Sequence, residues 1–223
     1  LNSRDIYFEG TDLFSEVHLM KILKINSKNP DPDIITQAKK YLKLGKLVVY
    51  PTDTVYGIAA NVYNQSAVSK VFNSKRRLKT KALSLCLAEI EAIKDVAFMD
   101  DKTEILVEQL FPGPFTVIMK KNEAISPLLT AGTNKVGIRI PDNKLSRDLA
   151  SEFPITSTSA NISGMDVPES PKEVVEQLGN SVDLVLDAGI CKYGLHSTVV
   201  DMTGDEPIIL RKGAGYETLM NLL

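Results

Sequence analysis

Five cations fall within the seven positions Lys75-Arg76-Arg77-Leu78-Lys79-Thr80-Lys81. Like charges crowded on one segment repel, and a bound polyanion such as a phosphate chain or RNA relieves that repulsion; a solvated basic turn is the alternative. A second segment, Pro51-Thr52-Asp53-Thr54-Val55-Tyr56-Gly57, follows an apolar run, and ligands of open α/β sheets favour the carboxyl ends of strands. Its hydroxyls and carboxylate suit a small polar substrate, or equally a turn in which they satisfy local backbone groups. A third segment runs from Thr156 to Gly164 as Thr-Ser-Thr-Ser-Ala-Asn-Ile-Ser-Gly. These side chains make a poor core but a good donor set for phosphate oxygens, with Ser159 and Asn161 expected on one side of a strand; a surface turn is again the alternative. Arg139 in VGIRIP and Arg211 in IILRKGAG are cations inside apolar runs. Each needs an anionic or polar partner, from a structural ion pair or from a ligand. Ser197, in GLHSTVVD, adds a polar residue at a strand start.

The elements that carry these residues alternate between strand and helix. Met20 to Asn26 (MKILKIN) alternates as a short strand. Asp31 is the expected N-cap and Pro32 the first residue of a helix, whose apolar positions Ile34, Ala38, Tyr41 and Leu42 share a face up to Gly45. Leu47–Pro51 is an apolar strand, VYGIAANVY a further extended segment, and Gln65–Ser74 a helix with Val68, Val71 and Phe72 on one face. Strands are expected in ALSLCLA, FTVIMKK, VGIRIP, PITSTSA, VDLVLDAG, STVVDM and PIILRKG. Helices are expected in KTEILVEQL, in LSRDLASEF, from the Ser170-Pro171-Lys172-Glu173 capping box through Leu178, and over Tyr216–Leu222. The pattern fits a three-layer α/β sandwich around a mixed parallel and antiparallel sheet, one domain over residues 20–223.

The stretch Leu1–Leu19 lacks clear periodicity and the features of a signal peptide. We read it as an appended or flexible extension outside the fold, with His18 set aside. The whole chain has 26 Lys and Arg against 28 Asp and Glu, a formal charge of -2. Without the extension 25 basic and 24 acidic residues remain, so a general polyanion coat is excluded and any anion contact is local. No run approaches the roughly 18 apolar residues of a membrane-spanning helix. Two cysteines, Cys86 and Cys191, and two histidines leave little material for a zinc site or a histidine-based triad. There is no G-x-x-x-x-G-K-[ST], G-x-S-x-G, H-E-x-x-H or paired C-x-x-C. A nucleotide would be held by a less familiar cradle of cations and hydroxyls.

Taken in order, PTDTVYG, Lys75-x-Arg77, PGPFT at 112–116, VGIRIP, STSAN, and HSTVVD followed by ILRKGAG resemble the YrdC-type threonylcarbamoyl-AMP synthase family over Met20 to Gly215. The resemblance implies a YrdC-like fold and an L-threonylcarbamoyladenylate synthase, a nucleotidyltransferase. Such an enzyme makes threonylcarbamoyl-AMP and pyrophosphate from L-threonine, bicarbonate and ATP, towards N6-threonylcarbamoyladenosine at tRNA position 37. It implies Lys75 and Arg77 on the ATP phosphates, with Lys79, Lys135, Asn161 and Arg211 also at the nucleotide. Thr52, Ser84, Arg139, Ser159 and Ser197 would surround threonine, with Arg139 at its carboxylate and Lys75, Arg77 and Arg139 catalytic. Mg²⁺ would come with ATP rather than occupy a protein cage. It further implies a cytoplasmic monomer without membrane contact, acting upstream of threonylcarbamoyl-transfer proteins, with tRNA or double-stranded RNA as a further contact.

The departures are local. Leu78 and Ala82 stand where the family often has proline, and Gly57-Ile58-Ala59-Ala60 replaces a commoner Gly-Leu-Gly. Ser159 and Asn161 match the active branch rather than a related branch lacking Ser-x-Asn, and the chain reads as the single-domain form. The alternatives are another carbamoyl-adenylate-forming enzyme and a non-catalytic RNA-binding module of the same fold.

Overall fold

Val48, Val49 and Tyr50 are all fully buried, and a strand apolar on both faces requires cover on both. The computed structural model, which describes residues 6–8 and 20–223, supplies it as two helical layers around sheet. Strands β1 (Ile6–Phe8) and β2 (Met20–Lys24) precede helix α1 (Pro32–Lys43). Strands β3 (Val48–Tyr50) and β4 (Gly57–Ala59) lead into α2 (Gln65–Ser74), followed by β5 (Ser84–Cys86) and β6 (Ala97–Phe98). Next come α3 (Asp101–Leu110), β7 (Phe115–Lys121), β8 (Lys135–Arg139), α4 (Lys144–Leu149) and β9 (Ile155–Ser157). The last third holds α5 (Pro171–Leu178), β10 (Leu184–Asp187), β11 (Thr198–Asp201), β12 (Ile208–Arg211) and α6 (Tyr216–Met220).

One sheet runs β1-β2-β10-β3-β4 and the other β12-β11-β7-β8-β5-β9, with β6 beside β7. Pairing is mixed: β10 is parallel to β2 and β3, and β11 to β7, while β7 and β8 are antiparallel. The two sheets meet along a seam between β4 and β9. There Ile58 N donates to Thr158 O at 2.9 Å and Thr156 N to Ala60 O at 3.0 Å. The buried Thr156 hydroxyl accepts from Ala60 N and donates to Ile58 O. Side-chain alternation then sorts the core. Val48, Tyr50, Leu184 and Leu186 pack under α1 and α4, whereas Leu47, Val49 and Val185 face the layer that includes α2, α3 and α5.

The expected caps are present. Asp31 accepts from Asp33 N ahead of α1, and Ser170 accepts from Glu173 N ahead of α5; each such cap contributes about 1 kcal/mol. On α1 the fully turned-in residue is Ile35 rather than Ile34, which is only partly buried. Within the stretch read as an extension, Ile6–Phe8 pair antiparallel with Met20–Ile22. His18 and the rest of that stretch lie outside the described residues. Several expected strands are shorter than the sequence suggests; β5 holds only Ser84–Cys86, β9 stops at Ser157 and β10 holds only Leu184–Asp187. No described helix is long and apolar enough to cross a membrane.

Candidate active site

Strand and helix ends converge on a cavity of about 390 Å³. The turn after β3 brings Thr52 and Thr54, the end of α2 brings Lys75, and the loop beyond it brings Arg77 and Lys81. Ser84 opens β5, Thr116 lies at the start of β7, Arg139 ends β8, and Ser159 and Asn161 follow β9. Ser197 precedes β11 and Arg211 closes β12. Nine of the residues expected at a site therefore share one wall-to-wall space: Thr52, Lys75, Arg77, Ser84, Arg139, Ser159, Asn161, Ser197 and Arg211.

Arg139 is deeply enclosed, its side chain 7% exposed beside an Asp53 carboxylate that is 0% exposed. Its Nη2 donates to Asp53 Oδ1, to Thr54 Oγ1 at 2.6 Å and to Thr52 Oγ1 at 3.3 Å. Among the described residues nothing accepts from its buried Nε or from Nη1. The guanidinium is thus fixed through one nitrogen and retains donors for a ligand. The turn carrying Thr52 and Thr54 is itself tightly closed: Thr52 Oγ1 donates to Val55 O at 2.7 Å and accepts from the Thr54 and Val55 amides.

Lys75 is 1% exposed. Its ammonium donates to Ser159 O, to Asn161 O at 2.8 Å and to Asn161 Oδ1 at 2.9 Å. An ammonium has three hydrogens, so the protein already occupies all three. In this arrangement Lys75 clamps the loop that presents Ser159 and Asn161. Burial first, then the nearby Arg77 charge, push Lys75 down to about 7. Ser159 and Asn161 are not aligned by strand alternation, since the chain turns after Ser157. They are brought together by Ser159 Oγ donating to Asn161 Oδ1 at 2.6 Å.

Among the described residues Arg77 is held only by carbonyls, Lys81 O at 3.1 Å and Ala82 O at 2.8 Å. Arg211 donates to Ser197 O and Oγ, and Ser197 Oγ shares a hydrogen bond with Thr116 Oγ1 at 2.8 Å. Close backbone approach makes this corner possible. A Cβ on Gly213 would lie 2.2 Å from His196 O. One on Gly137 would meet Ser84 Oγ at 2.6 Å, so bare strand backbone leaves room for that hydroxyl. Burial, then the charges of Arg211, Lys75 and Arg139, lower the His196 pKa below its ordinary value, leaving a neutral imidazole at the wall.

Two expected ligands lie elsewhere. Lys81 N donates to Leu78 O, a turn that brings Lys81 to the cavity while Lys79 is exposed and does not line it. Lys135 shares β8 with Arg139 but is four residues away, about 13 Å along an extended strand, and pairs with Asp201 at 2.7 Å. Lys81 and Thr54, which the basic run and the hydroxyl-rich turn include, also line the wall, as do Thr116 and His196, which the sequence does not single out. The sequence offers Asp53 as one of several groups for substrate, whereas both its oxygens are committed to Arg139 and to Asp142 N. The only signal for Thr54 was its place in the hydroxyl-rich turn, and for His196 its place beside Ser197.

Fold and site together define an α/β sandwich whose sheet ends enclose a polar, multiply cationic small-molecule cavity. A family model described as telomere recombination, Sua5/YciO/YrdC, matches residues 40–213. The chain belongs to this family, and its architecture is the YrdC-like one expected. A Methanocaldococcus jannaschii relative is 39% identical over 195 residues, 86% of this chain and 93% of its own length. The threonylcarbamoyl-AMP synthase of Bacillus subtilis is 36% identical over 187 residues, 82% of this chain and 54% of that protein. Pyrococcus abyssi Sua5, solved as a complex with L-threonine, superposes with a TM-score of 0.84 at 32% identity, covering 89% of this chain and 60% of that one. The chain thus spans little more than half the length of these last two proteins.

Proposed function

We propose that the chain is an L-threonylcarbamoyladenylate synthase, a nucleotidyltransferase that joins L-threonine, bicarbonate and ATP into threonylcarbamoyl-AMP with release of pyrophosphate. The observation that carries this reading is the cavity's chemical polarity. The cavity sets a single carboxylate-paired arginine, Arg139, among threonine hydroxyls beside three cations that have no carboxylate partner among the described residues, Arg77, Lys81 and Arg211. The first suits an amino-acid carboxylate and the second a polyphosphate. The name of the B. subtilis relative and the threonine complex of the P. abyssi protein support the same assignment.

The threonine amine attacks bicarbonate to give a carbamate with loss of water. A carbamate oxygen then attacks the α-phosphorus and pyrophosphate leaves. Nothing in this sequence needs a covalent protein intermediate, so the protein contributes placement and charge. Arg139 Nη1, with Thr52, Ser84 and Ser197, holds threonine; Arg77, Lys81 and Arg211 stabilise charge on the phosphates. Asn161 and Ser159, clamped by Lys75, line the path between them. The carboxylate at this cavity is tied to Arg139, so Mg²⁺ would be carried on the ATP phosphates. The product would be the donor for N6-threonylcarbamoyladenosine at tRNA position 37, transferred by separate proteins in the cytoplasm.

The test is pyrophosphate release from ATP with threonine or bicarbonate omitted in turn. Dependence on both is the expected result. Release that ignores threonine, or no release alongside salt-sensitive RNA binding, would overturn the assignment.

A further inference from the structure

The cavity must hold two anions of very different charge without exchanging them, and its three arginines are not equivalent. Arg77 is held by two backbone carbonyls and Arg211 by Ser197 oxygens, so both keep their full positive charge for a ligand. Arg139 alone has a carboxylate partner, Asp53, and that carboxylate is anchored on its far side by Asp142 N at 3.2 Å. The anchor extends outward: Tyr193 N donates to Asp53 O and Gly194 N to Thr54 O, each at 3.0 Å. Asp53 therefore joins three chain segments and cannot swing away from the guanidinium.

We propose that Asp53 is a positioning and specificity-determining residue that sorts the two anionic substrates between Arg139 and the cavity cations that lack a carboxylate partner. This rests on the synthase reading. With Asp53 in place, the Arg139 pair has almost no net charge and offers a tetravalent polyphosphate little attraction. The pair still donates from Nη1, which is enough for one carboxylate whose own oxygens find the threonine and serine hydroxyls. Polyphosphate is left to Arg77 and Arg211. Without the Asp53 charge, Arg139 becomes an enclosed, uncompensated cation, and such a group recruits any anion that fits.

The probe is inorganic pyrophosphate, with threonine and pyrophosphate binding followed by calorimetry. The wild-type chain should bind one pyrophosphate that does not displace threonine. Asp53→Asn should bind a second pyrophosphate, which competes with threonine, so that with pyrophosphate present its apparent threonine affinity falls about tenfold or more. Asp53→Glu should restore the wild-type pattern. The double variant Asp53→Asn/Arg139→Gln should lose the second pyrophosphate. Competition between pyrophosphate and threonine in the wild type overturns the proposal without any variant. A loss in Asp53→Asn that weakens both ligands equally, with no second pyrophosphate, marks a merely structural role and also overturns it. If the wild type binds no threonine at all, the synthase reading fails, while the count of one pyrophosphate against two still reads the sorting by Asp53.

Discussion

Arg139 and Arg211 both end strands and both face the cavity, yet the protein treats them in opposite ways. Arg139 is sealed in and matched with a carboxylate; Arg211 sits at a solvent-open rim and leans on neutral oxygens. The difference follows from desolvation. A buried cation without a counter-charge is costly, with loss of one partner of a buried pair worth about 3–5 kcal/mol, whereas a rim cation keeps its water until a ligand replaces it. Burial, more than residue type, therefore decides which arginine belongs to the fold's own charge balance and which is held in reserve for substrate.

The contrast breaks most sharply at the open end. Arg77→Ala should lower kcat/KM for ATP by about 10²–10³-fold, the scale for removing one preorganised charge contact, and leave threonine affinity within about threefold. Steady-state kinetics with each substrate varied separates the two; equal losses for both would erase the division of labour.

Lys75→Met comes next, with a loss of about 10–100-fold spread over both substrates, because the Ser159–Asn161 loop loses its clamp rather than one ligand losing a contact. The pH dependence sharpens this. Below about 7 the folded and unfolded chains both carry the Lys75 proton, and the fold bears a buried charge. As pH rises through that value the folded chain releases the proton while the unfolded chain keeps it up to 10.5. Stability from this group thus grows with pH over that window. The clamp runs the other way, since a neutral amine has two hydrogens for three acceptors. Substrate-free protein should gain melting temperature from about pH 7 to 9 while activity falls, and the melting trend should flatten in Lys75→Met.

Gly213→Ala should have an intermediate effect. Its methyl group would press on His196 O and Ser197 O, costing about 1–3 kcal/mol of stability as local overpacking, and the misplaced Arg211 should raise KM for ATP. Lys79→Ala and Lys135→Ala should change turnover least, by under about threefold, since exposed charges and partly exposed pairs contribute little. A large loss in either would show that the basic segment or the Lys135–Asp201 pair rearranges onto the nucleotide.

What could be read without the structure was what depends on period and burial. The apolar run of Val48 to Tyr50, the face of Val68, Val71 and Phe72, and the caps at Asp31 and Ser170 all follow from local rules, and the structure keeps them. Where other residues fall depends on how a turn is wound or on what lies across a sheet. Lys79 and Lys81 both belong to the basic run, and only the Leu78 turn decides which faces inward. Lys135 lies two alternations before Arg139, and nothing in VGIRIP announces that Asp201 waits on another strand. Ser159 and Asn161 did meet, but through their own hydrogen bond after the strand had ended.

The seam between β4 and β9 has a kinetic consequence. Tyr56 and Gly57 reach the cavity from one sheet, and Ser157 and Ser159 from the other, so any occupant bridges the joint like a rivet through two plates. Opening the joint then requires ejecting the occupant first. Hydrogen–deuterium exchange at the Ile58, Ala60 and Thr156 amides, which cross or brace the joint, should slow on nucleotide binding more than exchange inside either sheet, making the seam the place where the molecule registers that it is loaded.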